Sequence, residues 1–192
     1  MAAPSREELL SLLRERLSPR RVLHTLGVEA VAVCMAARWG ADTEAASSAA
    51  LLHDMTKEAP DQLQLLRYYG ILPSEWGETV PNVYHALTGA AFAGELGYDE
   101  ELVSAVRWHA TGRAGMTVLE KILFIADMAD PFRAAYPGLA DIRGLLYTDL
   151  DQALALGLRE TLRFVRENGR PEDQFTGEAL YWIERKWENG NV

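Results

Sequence analysis

Apolar residues recur at helical spacing along almost the whole chain, and the polar residues between them are mostly helix caps and stops. Ser5, with Glu8 three positions later, reads as a capping box opening a first helix that runs to about Leu17. Ser18-Pro19 supplies an N-cap and a proline at the first helical position for a second helix, to about Arg38 and closed by Gly40. Asp42 is placed to cap a third, and a fourth spans about Pro60 to Tyr69 before Gly70. Pro73 to Pro81 reads as a loop with one helical turn. Asn82 to Leu96 forms the next helix, ended by Gly97, and Asp99 caps another that reaches Trp108. Ala110 to Met116 is a loop, after which Thr117 and Glu120 form a second capping box for a helix through Ala129 that Pro131 blocks. Phe132 to Leu146 is read as a loop with a short turn. Thr148 is read as the cap of a long amphipathic helix to Asn168, stopped by Gly169, and Thr176 as the cap of a last helix, Gly177 to Trp187. No β-branched alternation and no Asn-Gly hairpin between strands occurs, so the expected fold is an all-α bundle.

Composition narrows the class. A chain of 192 residues, 48% hydrophobic and 24% charged, matches one water-soluble globular domain with a sizeable core. The apolar runs fall short of the roughly 18 residues that cross a bilayer. The opening MAAPSREELL lacks the basic-then-apolar pattern of a signal peptide. Cys34, the single cysteine, has no internal disulfide partner and is expected as a small core residue in a reducing, cytoplasmic setting. A net charge of −9 argues against nucleic acid or an anionic membrane as partner. An anionic substrate must then be drawn by a local site.

Residues 49–57, AALLHDMTK, carry the first candidate chemistry. His53 and Asp54 stand side by side where Ala49 to Leu52 predict core, and Lys57 follows one turn later. A buried carboxylate demands a partner, and a metal ion is one. The other histidines, His24, His85 and His109, belong to three further helices, with Leu23, Val28, Val31 and Ala32 marking the buried face around His24. Asp127 interrupts the apolar helix ILFIADMA. Singly, each histidine also fits a core or capping role and Asp127 an acid turned to solvent; Cys34, Met35 and the five tryptophans read as packing residues. Jointly, four imidazoles and two carboxylates in apolar helical settings suggest convergence in a bundle core. Such a set suits iron, manganese or zinc, and is large enough for two ions sharing a carboxylate.

The order His24, His53-Asp54, His85, His109, Asp127 resembles the HD-domain phosphohydrolases in their binuclear form. The segments HD-x-x-K at His53 to Lys57, HA-x-x-GA at His85 to Ala90, H-x-TG at His109 to Gly112, and LEKILFIADMADPFR at 119–133 narrow this to the bacterial YqeK-type symmetrical dinucleoside-tetraphosphate hydrolases. Arg21 fits the same pattern. Val22, Ala110, Glu120 and Asp130 depart from it, standing where an aromatic, a threonine, an aspartate and a glutamate are usual. The resemblance covers about Ser18 to Asn168, with 1–17 as a helix packed on that domain and 169–192 as a helical extension.

The resemblance implies one ion on His24, His53, Asp54 and Asp127, and a second on Asp54, His85 and His109. Iron is the expected metal, with manganese or another divalent ion as the other choices. It implies cleavage of diadenosine tetraphosphate into two ADP by a metal-bridged hydroxide. Lys57 and Arg133 are the candidate transition-state cations, and Arg21, Thr111 and Gly112 further phosphate contacts. Rival readings are an HD nucleotidase, a guanosine tetraphosphate hydrolase, or a metal-stabilised interaction module without turnover. The assembly is left open, with a homodimer among the options.

Overall fold

The computed structural model describes residues 3–71 and 81–188, and most of the anticipated caps begin helices in it. The Ser5–Glu8 box opens α1 (Arg6–Arg16). Helix α2 (Pro19–Trp39) ends at Gly40, whose φ of 73° is the left-handed turn that glycine adopts without a Cβ clash. Asp42 caps α3 (Thr43–Leu52) through the amides of Glu44 and Ala45. After α4 (Gln62–Tyr68), capped by Asp61, a 3-10 turn at Pro81–Val83 leads into α5 (Tyr84–Glu95). Asp99 caps α6 (Glu100–Trp108), and the Thr117–Glu120 box opens α7 (Val118–Ala129). The chain continues through α8 (Leu139–Leu145), α9 (Leu150–Glu167) and α10 (Gln174–Glu188). Among the described residues there is no strand.

The departures from the sequence reading have local causes. Ser18 does not cap α2 with its side chain; its N–H and hydroxyl both donate to Glu58, at 2.6 and 2.8 Å. The helix expected from Asn82 starts two residues later, after the 3-10 turn. Most of the Pro73 to Pro81 loop lies outside the described residues. Residues 139–145, read as loop and turn, are a helix that buries Leu139 and Ile142. Asp149, not Thr148, caps α9 by accepting from the Gln152 amide at 2.9 Å, a carboxylate being the stronger acceptor, while the Thr148 hydroxyl turns back to Gly144 and Leu145. Asp173 likewise accepts from the Phe175 amide, so α10 starts ahead of Thr176.

Helix α2 carries more apolar residues than its buried face can use. Val28, Ala32, Met35 and Ala36 are fully buried, whereas Cys34, expected in the core, is exposed, and Leu23 is 46% exposed. By length and composition this helix is also large enough to cross a membrane, which corrects the sequence reading; in the fold it packs against α3 and α7. The bundle centre is where α2, α3, α6 and α7 meet, with α5 laid on α6 and α9–α10 closing over α7. Helix α1 joins it through fully buried Leu9 and Leu13, each worth about 1.5–3 kcal/mol, and through Arg6, whose guanidinium donates twice to buried Glu29.

Candidate metal centre

His53 and His109 occupy equivalent positions at the ends of two helices. Each is the C-cap residue, of α3 and α6 respectively. The last carbonyls of a helix have no partner in its own ladder, and each imidazole uses one. His53 Nδ1 lies 2.6 Å from the Ala50 carbonyl and His109 Nδ1 2.7 Å from that of Val106. With Nδ1–H donated there, both Nε2 atoms face the bundle centre, and the two rings sit 5.0 Å apart, edge to face. The chain after α3 tightens into turns, closed by Met55 N–H to Leu52 and Lys57 N–H to Asp54. These bring Asp54 Oδ2 to 3.6 Å from His53 Nε2 and Lys57 Nζ to 3.9 Å from Asp54 Oδ1.

His85 arrives on the first turn of α5. That helix packs against the end of α3, with the Gly89 backbone beside the Leu52 and His53 carbonyls; a Cβ there would stand 3.4 Å from the latter, a snug contact. Thr56 fastens the contact, donating to the His85 carbonyl at 3.0 Å and lying 2.8 Å from the Thr88 hydroxyl. His85 Nε2 is then 3.2 Å from His109 Nε2 and 2.9 Å from Lys57 Nζ.

His24 sits inside α2, where neighbouring carbonyls are engaged by the helix itself. Its Nδ1 instead meets Asp130 Oδ2 at 2.8 Å. Asp130 is buried at the C-cap of α7, and its second oxygen accepts from the Phe132 amide. Gly27 provides the space, since a Cβ at that position would fall 2.1 Å from Asp130 Oδ1. Arg143 of α8 completes the α7 terminus by donating to the Ala129 and Asp130 carbonyls. His24 Nε2 lies 3.1 Å from Asp127 Oδ1, and that oxygen also accepts from Arg133 at 2.8 Å.

All six sequence candidates therefore converge, and the two oxygens of Asp54 divide them. Oδ2 faces His24 and His53, at 3.8 and 3.6 Å, while Oδ1 faces His85 and His109, at 3.2 and 3.8 Å. Among the described residues, two sets of donor atoms lie close enough to hold an ion, His24 with His53 and Asp127, and His53 with Asp54 and His109. The Nε2 atoms of His24 and His53 are buried without an aligned hydrogen bond, a costly state for a polar atom and one that a cation relieves. Nitrogen and carboxylate donors without thiolate fit a divalent transition metal.

Electrostatics keep four of the donors in ligating form and act the other way on His24, which burial would lower but Asp127, Asp130 and Asp54 raise. Burial lowers His85 well below its usual range and pushes His109 down to about 4, so both imidazoles are neutral at pH 7. Burial alone would raise Asp54, but His53, His85 and Lys57 outweigh it and hold the carboxylate below its ordinary value. Asp127 is likewise held low against burial, by His24 and Arg133. Burial lowers Lys57, against the pull of Asp54 and Asp127.

The expected phosphate contacts differ in their placement. Lys57 lies over His85, Arg133 on Asp127, and Arg21 donates to Asp54 Oδ2 at 2.7 Å. Thr111 borders a cavity that opens on His85 and His109, its hydroxyl turned to the Gly112 carbonyl. Gly112 is a correction. Its N–H donates to the Trp108 carbonyl at 2.8 Å, and a Cβ would meet Leu158 and Met116, so it shapes a left-handed turn facing the core. Sequence reasoning noticed Asp130 only as a departure, although a buried acid three residues after Asp127 lies on the same helical face.

Comparison with known proteins identifies the family. The HD domain family model matches residues 21–131, which include all six clustered residues. The symmetrical bis(5'-nucleosyl)-tetraphosphatase of Bacillus subtilis is 36% identical over 93% of this chain and 97% of its own length. That of Halalkalibacterium halodurans is 33% identical over 87% and 90% respectively. Among solved structures, a predicted HD superfamily hydrolase involved in NAD metabolism from Clostridium acetobutylicum superposes with a TM-score of 0.83. It is 29% identical, and the match covers 96% of this chain and all of that one.

Proposed function

This chain belongs to the HD-domain family, and from that premise we propose that it hydrolyses dinucleoside tetraphosphates symmetrically, converting diadenosine tetraphosphate and water into two ADP. The observation that carries the two-ion reading is Asp54, whose oxygens face different pairs of imidazoles. His24, His53, Asp54 and Asp127 would hold one divalent ion, and Asp54, His85 and His109 the second, iron being our first choice among the metals this donor set suits. When bound, such ions supply Lewis acidity toward phosphoryl oxygens and a water acidic enough to be a nucleophile near neutral pH.

The chain's own side chains do the rest. Lys57 and Arg133 border the cluster and stabilise charge that develops on the phosphoryl oxygens, Lys57 in a site where burial limits screening by water. Arg21 holds Asp54 in place through its 2.7 Å contact and adds positive charge at the rim. Thr111 borders the cavity, and its hydroxyl would have to leave the Gly112 carbonyl to meet a phosphate. ADP leaves as a stable anion, so no strong general acid is required. The net charge of −9 makes this local cationic rim the feature that draws an anionic substrate.

The reading is tested by product analysis in isotopically labelled water with the metal-loaded protein. Expected is ADP as sole nucleotide product, one of each two carrying one labelled oxygen, from protein binding close to two ions per chain. AMP with ATP would overturn symmetrical attack, and phosphate release from mononucleotides without cleavage of the tetraphosphate would favour a nucleotidase. Tight binding of a single ion after reconstitution with iron or manganese would overturn the binuclear site.

A further inference from the structure

Each half of the cluster is reached by its own cavity. One, of about 370 Å³, opens on His85 and His109 and is bounded by α9 and its connection to α10. The other, of about 520 Å³, opens on His24 and Asp130 and is walled by the start of α2 and the segment that follows α7. Attack on an inner phosphorus of a dinucleoside tetraphosphate leaves one nucleoside and two phosphates on each side of the breaking bond. A cluster open at both halves suits such a substrate, and the cavity at His24 has the groups to receive one of its ends.

Asp130, which orients His24, also builds that cavity. Its Oδ1 accepts from the Phe132 amide at 3.0 Å and its carbonyl from the Arg133 N–H at 3.1 Å, so the chain turns back after α7. Gly27 lets the turn lie on α2, because a Cβ there would stand 2.1 Å from Asp130 Oδ1 and 3.0 Å from Phe132 Cδ2. One edge of the Phe132 ring thus rests on α2, while Phe132 as a whole stays 59% exposed. Leu23, 46% exposed, lines the same cavity. Single exposed apolar residues are ordinary, but two in one cavity against a charged cluster point to a ligand with an apolar face.

The charges on this wall point to an anion. The first turn of α2 has no acidic residue; Arg20 and Arg21 stand there, against the helix dipole, and line the cavity with Arg133. Arg21 is engaged by Asp54 and Arg133 by Asp127, whereas Arg20 has no hydrogen bond or ion pair among the described residues. Glu58, an acid on the same wall, is taken by the Ser18 N–H and hydroxyl.

We infer that this cavity takes one of the two nucleosides of the substrate, with its base stacked on Phe132 and its adjoining phosphate held by Arg20. The inference rests on the tetraphosphate reading above and adds a second recognition point to it, at the His24 half. Base stacking on one aromatic side chain is worth a factor of about 5 to 150 in affinity.

The test uses the full chain loaded with metal. Equilibrium dialysis is expected to find two ADP per chain, one for each product molecule. Phe132→Ala should weaken one of them by about 5- to 150-fold and leave the other within about twofold, and Phe132→Trp should restore it. Arg20→Ala should weaken the same ADP, with a loss that shrinks as salt is added. In turnover, Phe132→Ala should raise KM for diadenosine tetraphosphate with little change in kcat, as expected for contacts made equally in the ground and transition states. A single ADP per chain in the wild type would overturn the site, as would two whose affinities ignore both Phe132→Ala and Arg20→Ala. So would an equal loss in Phe132→Ala for inorganic tripolyphosphate, which has no base. Failure of the two readings is distinguishable. Wild-type protein that binds the Phe132-dependent ADP but leaves the tetraphosphate intact keeps the site and loses the proposed reaction; symmetrical cleavage with a KM indifferent to Phe132 and Arg20 does the reverse.

Discussion

The two halves of the cluster are oriented by different means. In the inner half, His53 and His109 are aimed by carbonyls of their own helices, at 2.6 and 2.7 Å, and their side chains are almost entirely inaccessible. In the outer half, His24 and Asp127 are 14% and 24% exposed and depend on charged side chains from elsewhere, Asp130 for His24 and Arg133 for Asp127. The difference follows from helix position. A histidine at a C-cap finds a carbonyl without a partner three residues back, whereas one in mid-helix must recruit an outside acceptor. The inner half is therefore as robust as its helices, and the outer half as robust as its neighbours.

Removing what the halves share should have the largest effect. Asp54→Asn keeps the side chain's size and loses its charge, so turnover should fall below detection and metal content should drop in both halves, with the far-ultraviolet circular dichroism unchanged. Near-normal activity would make the division of the cluster by Asp54 meaningless. Lys57→Ala touches neither orienting device. It should slow the reaction by roughly 30- to 1,000-fold, about 2–4 kcal/mol of transition-state stabilisation, at unchanged metal content.

Asp130→Asn addresses the comparison directly. Loss of the charge behind His24 should weaken one ion by about 10- to 100-fold in a chelator titration and leave the other as tight as before. Equal weakening of both would mean that the halves are not separately supported. The smallest effect belongs to a site away from the cluster, where Asp151 accepts from Lys121 and Lys186, at 2.5 Å each, tying α9 to α7 and α10. Burial would raise this carboxylate, but the two lysines outweigh it and lower it. A depressed folded-state value stabilises the fold above the unfolded value of about 3.9 and ceases to do so as pH falls through the folded one. Asp151→Asn should cost about 1–2 kcal/mol near pH 7, discounted for partial exposure. The gap should close in denaturant titrations as pH falls below the ordinary carboxylate range and through the depressed folded value, with metal content at neutral pH untouched.

Much of this was legible in the chain. The Ser5–Glu8 and Thr117–Glu120 boxes, the Asp42 and Asp99 caps and the Gly40 stop are local devices, decided within a few residues, and the structure has each of them. The six clustered residues were visible too, because an acid or imidazole in an apolar helix is conspicuous by its type. Failures came where several local choices compete, as with Thr148 against Asp149 and Thr176 against Asp173, or where a helix carries more apolar residues than one face, as with Cys34 and Leu23 on α2.

By itself, then, the sequence determined the all-α class, most of the helix ends and the identity of the groups that meet at the centre, since periodicity and capping act over three or four positions and residue type is given outright. Only the tertiary structure decided which partner orients each group: Asp130 for His24 across 106 positions, Arg21 for Asp54 across 33, and the Gly112 N–H for Trp108 rather than for a ligand. It also decided that Phe132 and Arg20 stand on the cavity that reaches His24. Those pairings depend on how helices remote in the chain cross and approach, which Gly27 permits by leaving space, and space is a property of the packed molecule alone.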